Sequence, residues 1–177
     1  MPRYAAFLRG INVGGTRVSK DDLCAPFRAL GFENVATFRA SGNVVFEAPS
    51  EPAAKLAERI ENALADELGF TRATTFIRTS AEMRALAADD PFPREPGQKL
   101  HVFFCLKKPP ATVLGLATDD DQLKIGKREL YWAPQGRMLD SGLDLKAVEK
   151  LIGPNTARTK GTVDQITARW FSDSGSD

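Results

Sequence analysis

Apolar residues along this chain recur with two spacings, and each change of spacing marks an element. Tyr4–Leu8 is a short continuous apolar run, which predicts a buried strand. Ser19-Lys20-Asp21-Asp22 opens a helix, with Ser19 as cap and acids in the first turn, where the helix dipole favours them. Leu23, Phe27 and Leu30 fall on one face of it, and Gly31 ends it. Val35–Arg39 and Val44–Glu47 read as strands of a hairpin that turns at Ser41-Gly42-Asn43. After a break at Pro49 and Pro52, Leu56, Ile60, Leu64 and Leu68 line one stripe of a helix over Ala53–Leu68, with Gly69 beyond it. Thr74–Arg78 is a β-branched strand. The order β-α-β-β-α-β is the split βαβ, or ferredoxin-like, arrangement.

Thr79 or Ser80 caps a further helix through Met83 and Leu86, closing a first subdomain over residues 1–88. Three prolines and a glycine within Asp90–Gly97 stop regular structure, so 89–98 reads as a linker. Leu100–Leu106 is again strand-like, and Pro109-Pro110 leads a short helix through Val113, Leu114 and Leu116. Asp119-Asp120-Asp121 reads as a solvated turn, and Gln122–Ile125 with Glu129–Ala133 as a hairpin around Gly126-Lys127-Arg128. Ser141 or Asp144 starts a helix through Leu145, Val148, Leu151 and Ile152. This second subdomain, 99–155, is a structural echo of the first without being a sequence repeat. Residues 156–177 are expected to hold a helix over Val163–Trp170 and a disordered polar tail. The fold class is therefore α+β: a ferredoxin-like βαββαβ unit, then a degenerate βαββα unit and a C-terminal helix.

Composition excludes several functions. With 42% apolar and 27% charged residues among 177, the chain has the make-up of an ordinary soluble domain. Net charge is +1, with 12 basic and 13 acidic residues over 1–98 and 12 and 10 over 99–177, so neither half carries the excess that non-specific duplex binding needs. Cys24 and Cys105 lie far apart and read as small reduced core residues. The single histidine, His101, excludes a His/Cys metal cluster, and no cofactor motif is present. His101 itself reads as a core or edge histidine, and Trp132 and Trp170 as packing. Met1-Pro2-Arg3 leads into too short an apolar run for a secretion signal, and no run approaches the ~18 apolar residues of a membrane span, so a cytoplasmic protein is expected.

No catalytic constellation is visible. Asp89-Asp90 and Asp119–Asp121 have the spacing of solvated turns, and the lone histidine removes most histidine-based schemes, leaving Ser, Asp or Cys chemistry open. The sharper feature is Arg9-Gly10-Ile11-Asn12-Val13-Gly14-Gly15, where an apolar strand ends in an arginine and three glycines follow. These glycines match neither a P-loop nor the dinucleotide fingerprint. Strand topology places this loop beside the Ser41-Gly42-Asn43 turn and the helix end capped by Ser19. Arg9, Gly10, Asn12, Gly14, Gly15, Ser41, Gly42 and Asn43 are thus candidate ligands for a small phosphate- or carboxylate-bearing molecule. The alternatives are tight connections that bind nothing, with Arg9 in an internal ion pair. Lys107, with Lys108, Lys127 and Arg128, occupies the equivalent place in the second subdomain. Two other functions compete: single-stranded nucleic acid stacked on Tyr4 and Phe46, and a protein-interaction domain without small ligand.

These residues also resemble a known family. Tyr4 through Gly15, then Leu30-Gly31-Phe32, Ser41-Gly42-Asn43-Val44-Val45-Phe46, Pro91-Phe92 and Leu130-Tyr131, are similar to the bacterial family called domain of unknown function 1697, over Tyr4 to Ile166. The resemblance implies an α+β fold of ferredoxin-like units and no assigned activity. The chain departs from that pattern at Phe38-Arg39-Ala40, where a glutamine is usual. It departs again at Thr156–Thr162, which keeps the arginine of Thr-Arg-Asn-Trp as Arg158 but loses Asn-Trp. Arg158 is a further candidate by that resemblance.

Overall fold

The computed structural model describes residues 1–11, 17–39 and 42–173. Two units can be separated, Met1–Ala85 with Ile166–Asp177, and Leu86–Gln165. The first contains β1 (Arg3–Arg9), α1 (Lys20–Ala29), β2 (Glu33–Thr37), β3 (Asn43–Glu47), α2 (Ala53–Leu68) and β4 (Thr74–Thr79). Its sheet has the order β2-β3-β1-β4, every pair antiparallel, which is the ferredoxin-like arrangement.

β1 is central, and its continuous apolar run follows from that position, because both of its faces are covered. One face sends Tyr4, Ala6 and Leu8, with Val44, Phe46 and Ile77, against Leu23 and Phe27 of α1 and Leu56, Ile60 and Leu64 of α2. Phe46 lies at the middle, with Tyr4, Phe27 and Phe32 at ring distances of 5.6, 5.4 and 4.9 Å. Ala5, Phe7, Val45 and Phe76, on the other face, are equally buried. Tyr4 and Phe46 therefore belong to the core and offer no surface on which a base could stack.

The helix signals act as their chemistry requires. Ser19 Oγ accepts the Asp22 N–H at 3.0 Å and starts α1, and Gly31, at φ +80°, follows its last turn. Gly69 takes the left-handed C-cap of α2, its N–H reaching Ala65 O at 3.0 Å. Thr79 and Glu82 cap α3 (Ser80–Ala88) reciprocally: Glu82 N–H donates to Thr79 Oγ1 at 3.2 Å and Thr79 N–H to Glu82 Oε2 at 2.8 Å.

The second unit has β5 (His101–Cys105), a 3-10 turn over Ala111–Leu116, β6 (Asp121–Ile125), β7 (Glu129–Pro134), α4 (Leu145–Ile152) and β8 (Asn155–Thr159). Its sheet order, β6-β7-β5-β8, repeats that of the first unit. Phe103, Cys105, Leu130 and Trp132 pack with Val113, Val148 and Ile152 in its core. Asp144 caps α4, accepting the Ala147 N–H at 3.1 Å.

Two features differ from the reading of the sequence. β8 stands where only tail was expected, so the echo has its fourth strand. Asn155–Thr159 has no apolar run because β8 is an edge strand, paired with β5 alone and with only Thr156 buried. Asp121 is buried, not solvated: Trp132 Nε1–H and Ser141 Oγ–H donate to its Oδ1 at 2.7 and 2.9 Å, and Thr118 Oγ1–H to its Oδ2 at 2.6 Å. Burial alone would raise its pKa, but these hydrogen bonds outweigh it and hold the carboxyl below its ordinary value.

Helix α5 (Lys160–Trp170) follows β8, with Thr159 Oγ1 accepting the Thr162 N–H at 3.3 Å. Its last residues belong to the first unit. Thr167 Oγ1–H donates to Met83 O at 3.3 Å, and Arg3 donates to Trp170 O at 2.6 Å while also bonding Glu47.

The turn glycines separate strain from crowding. Gly31 and Gly42 both have left-handed φ, but a Cβ on Gly31 meets nothing within 4 Å, whereas one on Gly42 would lie 2.9 Å from Ile11 Cδ1 and 3.1 Å from Leu8 O. Gly31→Ala should cost ~1 kcal/mol of stability and Gly42→Ala roughly 2–4 kcal/mol. Equal losses in denaturant titrations of the two variants would contradict this.

Candidate functional site

The candidate site begins where β1 leaves the sheet. Leu8 N–H donates to Gly42 O at 2.8 Å, so the β1 exit and the β2–β3 turn are joined backbone to backbone. Gly10 (φ +83°) brings a third segment in: a Cβ there would stand 2.8 Å from Arg72 O, in the connection between α2 and β4. Arg9 is the last residue of β1, exposed and opposite Thr74. Asn12, Gly14, Gly15 and Ser41 lie outside the described residues.

Two expected contributors have other work. Asn43 is buried, and its Nδ2–H donates to Phe38 O at 3.0 Å, while Phe38 N–H donates to Asn43 O at 3.1 Å. The residue clamps the hairpin. The N-terminus of α1 is occupied by its own side chains: besides the Ser19 cap, Ser19 Oγ–H donates to Asp22 Oδ2 at 2.7 Å, and Asp21 and Asp22 fill the first turn. Those carboxylates oppose an anion at that helix end.

Other cations stand nearby. Lys20 and Arg39 line one small hollow with Ile11, Val18, Ser19, Leu23 and Thr37. Arg39 has φ +58°, a left-handed conformation that costs a non-glycine residue on the order of 1–3 kcal/mol. Arg17, Lys20 and Arg72 are exposed and have no carboxylate partner among the described residues. Arg39 had a sequence signal in its place just ahead of Ser41-Gly42-Asn43; Arg72 had none, because only the close approach at Gly10 brings it here.

The second unit repeats the backbone closure. Cys105 N–H donates to Arg128 O at 2.9 Å, as Leu8 does to Gly42. Lys107, Lys108 and Lys127 are exposed at that end. Arg158 is elsewhere on its sheet, opposite Val102, half-buried, with Nη1–H groups donating to Thr156 Oγ1 at 2.7 Å and Ala157 O at 2.8 Å. Burial lowers its pKa to about 10. It is not brought together with Lys107.

The model of a family described as "Protein of unknown function (DUF1697)" matches residues 1–131. This chain belongs to the DUF1697 family. The match takes in the whole of β1 through β6 and the first half of β7, including both backbone closures. The chain is also similar in structure to the conserved bacterial protein SP0830 from Streptococcus pneumoniae, with 26% identity, a TM-score of 0.75, and coverage of 96% of this chain and 98% of that one. No curated protein matches it. The DUF1697 likeness thus carries the fold and the position of the conspicuous loops, and no activity.

Among the described residues, no group of three or more His, Cys, Asp or Glu side chains could hold a metal, and no helix is long and apolar enough to cross a membrane. The one imidazole, His101, is buried against Trp132, ring centroids 5.4 Å apart. Burial, and then the charge of Lys99, lower its pKa. Its NMR titration midpoint should lie below ~6.5 and move up in Lys99→Gln. The unfolded imidazole takes up a proton more readily than the folded one, so His101 reduces stability as pH falls from ~6.5 toward the folded midpoint. A midpoint at or above ~6.5 would refute the assignment.

Proposed function

We propose that the β1-exit end of the first unit binds a small ligand carrying phosphate or carboxylate. The observation that carries this reading is the gathering of Arg9, Lys20, Arg39 and Arg72 around Gly10 and Gly42, three of these six residues having left-handed backbone. Left-handed residues let the backbone come close to a bound group, and several guanidinium groups suit oxyanions, whose oxygens they can engage in pairs. The side chains supply the positive field here, because the α1 N-terminus is neutralised by its own aspartates. The site asks only for an oxyanion of small size; a nucleotide is one such ligand.

A thermal-shift panel of inorganic phosphate, nucleotides and phosphorylated or carboxylated metabolites tests the reading. A true ligand at about 100 times its Kd stabilises by ~2.7 kcal/mol, enough to raise Tm by several degrees in a chain of this size. Arg9→Ala is expected to weaken binding about ten-fold or more. If no compound shifts the wild type, or the shift is unchanged in Arg9→Ala, the reading falls.

A further inference from the structure

The second unit has a larger recess at the other end of its sheet, where β5 begins and β7 ends. Its volume is about 510 Å³, within the range of small-ligand sites. It lies away from the Lys107 end, and the reading of the first unit does not use it.

The walls are tied on three sides. Gln98 Nε2–H donates to Pro134 O at 3.0 Å, and Gln98 Oε1 accepts the Glu95 N–H at 3.1 Å, which fixes the incoming segment. Gln135 N–H donates to Asp120 O at 2.8 Å. Asp121 holds both Trp132, which supports His101, and Ser141, whose Oγ accepts the Leu143 N–H at 3.0 Å. The short turn over Met138–Asp140 is therefore anchored at both ends. A recess held this way needs little ordering when something enters it.

The lining is chemically mixed. Lys99 is exposed and has no carboxylate partner among the described residues, while Arg137 is already paired with Asp140 at 2.8 Å. His101 forms part of the lining. Leu139 is 94% exposed, and Met138 is next to it. An adjoining recess shares Glu95, Gln98 and Gln135 with this one and is lined by Asp119 and Asp120, and the carboxylates on that side, Glu95 included, disfavour a second anionic group there.

We propose that this recess binds a small organic anion, with its single carboxylate or phosphate on Lys99, a hydrogen bond to the His101 imidazole, and its apolar body against Met138 and Leu139. One exposed ammonium group holds an oxyanion only weakly in water. The apolar body must supply the rest, at about 25 cal/mol per Å² buried. The recess should accordingly take an anion with a ring or short apolar chain and leave inorganic phosphate largely unbound.

Amide NMR titrations of the whole chain with benzoate, phenyl phosphate and inorganic phosphate test this. Saturable shifts confined to residues 97–101 and 135–139 are expected with benzoate or phenyl phosphate, and whichever binds tighter identifies the head group. Binding should weaken a few-fold in Lys99→Gln and at least as much in Leu139→Ser, both at exposed positions whose replacement leaves the core intact. The proposal is overturned if neither organic probe gives saturable shifts up to on the order of 10 mM. It is equally overturned if both variants bind like wild type, or if inorganic phosphate binds as well as phenyl phosphate. Shifts confined to the surroundings of Arg9 and Lys20 would also overturn it while supporting the first-unit site, so the two readings fail separately.

Discussion

One close approach organises the first unit: the β2–β3 turn comes down onto the exit of β1. Gly42 has no side chain to keep it from Leu8 and Ile11, and its carbonyl takes the Leu8 N–H. That hydrogen bond continues the β1–β3 ladder beyond the Phe7 and Asn43 pair. It fixes the register of the central strand, and register decides which residues of β1 enter the helix-covered core. The Asn43 amide then clamps the turn to Phe38. The place of Arg39 beside the β1 exit follows from this closure, and that of Arg72 from the separate close approach at Gly10.

The second unit solves the same topology with different residues. Its central strand closes with the same backbone bond, Cys105 to Arg128, without a glycine at that place. Threonine caps the following helix in both units, Thr79 after β4 and Thr159 after β8. An arginine precedes each cap, Arg78 fully buried and Arg158 half-buried. Strand order and ladder geometry are backbone properties, so they tolerate replacement of nearly every side chain. The cationic character of the strand-exit end is also shared, through Lys107, Lys108 and Lys127 in the second unit.

The two units place their buried polar groups differently. In the first, Asn43 serves the hairpin and Thr167 donates to Met83 O. In the second, Asp121 joins Thr118, Trp132 and Ser141 into one network. A buried carboxylate is costly unless its oxygens are satisfied, and here three side chains satisfy it. The loop that follows β7 inherits its position from that network.

Most of the elements were legible in the sequence because their signals are local. Helical spacing over Ala53–Leu68, the Ser19 and Asp144 caps, and the glycines at 31 and 69 each act within a few residues of chain. The apolar run Tyr4–Leu8 and the hairpin around Gly42 likewise determined the split βαβ order, and with it the neighbourhood of Arg9 and Gly42. What depended on partners distant in the chain was hidden. β8 is polar because an edge strand needs only the ladder of β5. Asp121 looked like part of a solvated acidic turn until Trp132, Ser141 and Thr118 surrounded it. Tyr4 and Phe46 had the strand positions of stacking residues, and only the packing of α1 and α2 assigned them to the core. Sequence alone determined which segments become helices and strands, since those preferences reside in the chain's own periodicity and caps. Tertiary structure alone decided which polar groups are buried, satisfied or left to face a ligand, since that depends on what long-range pairing brings against them.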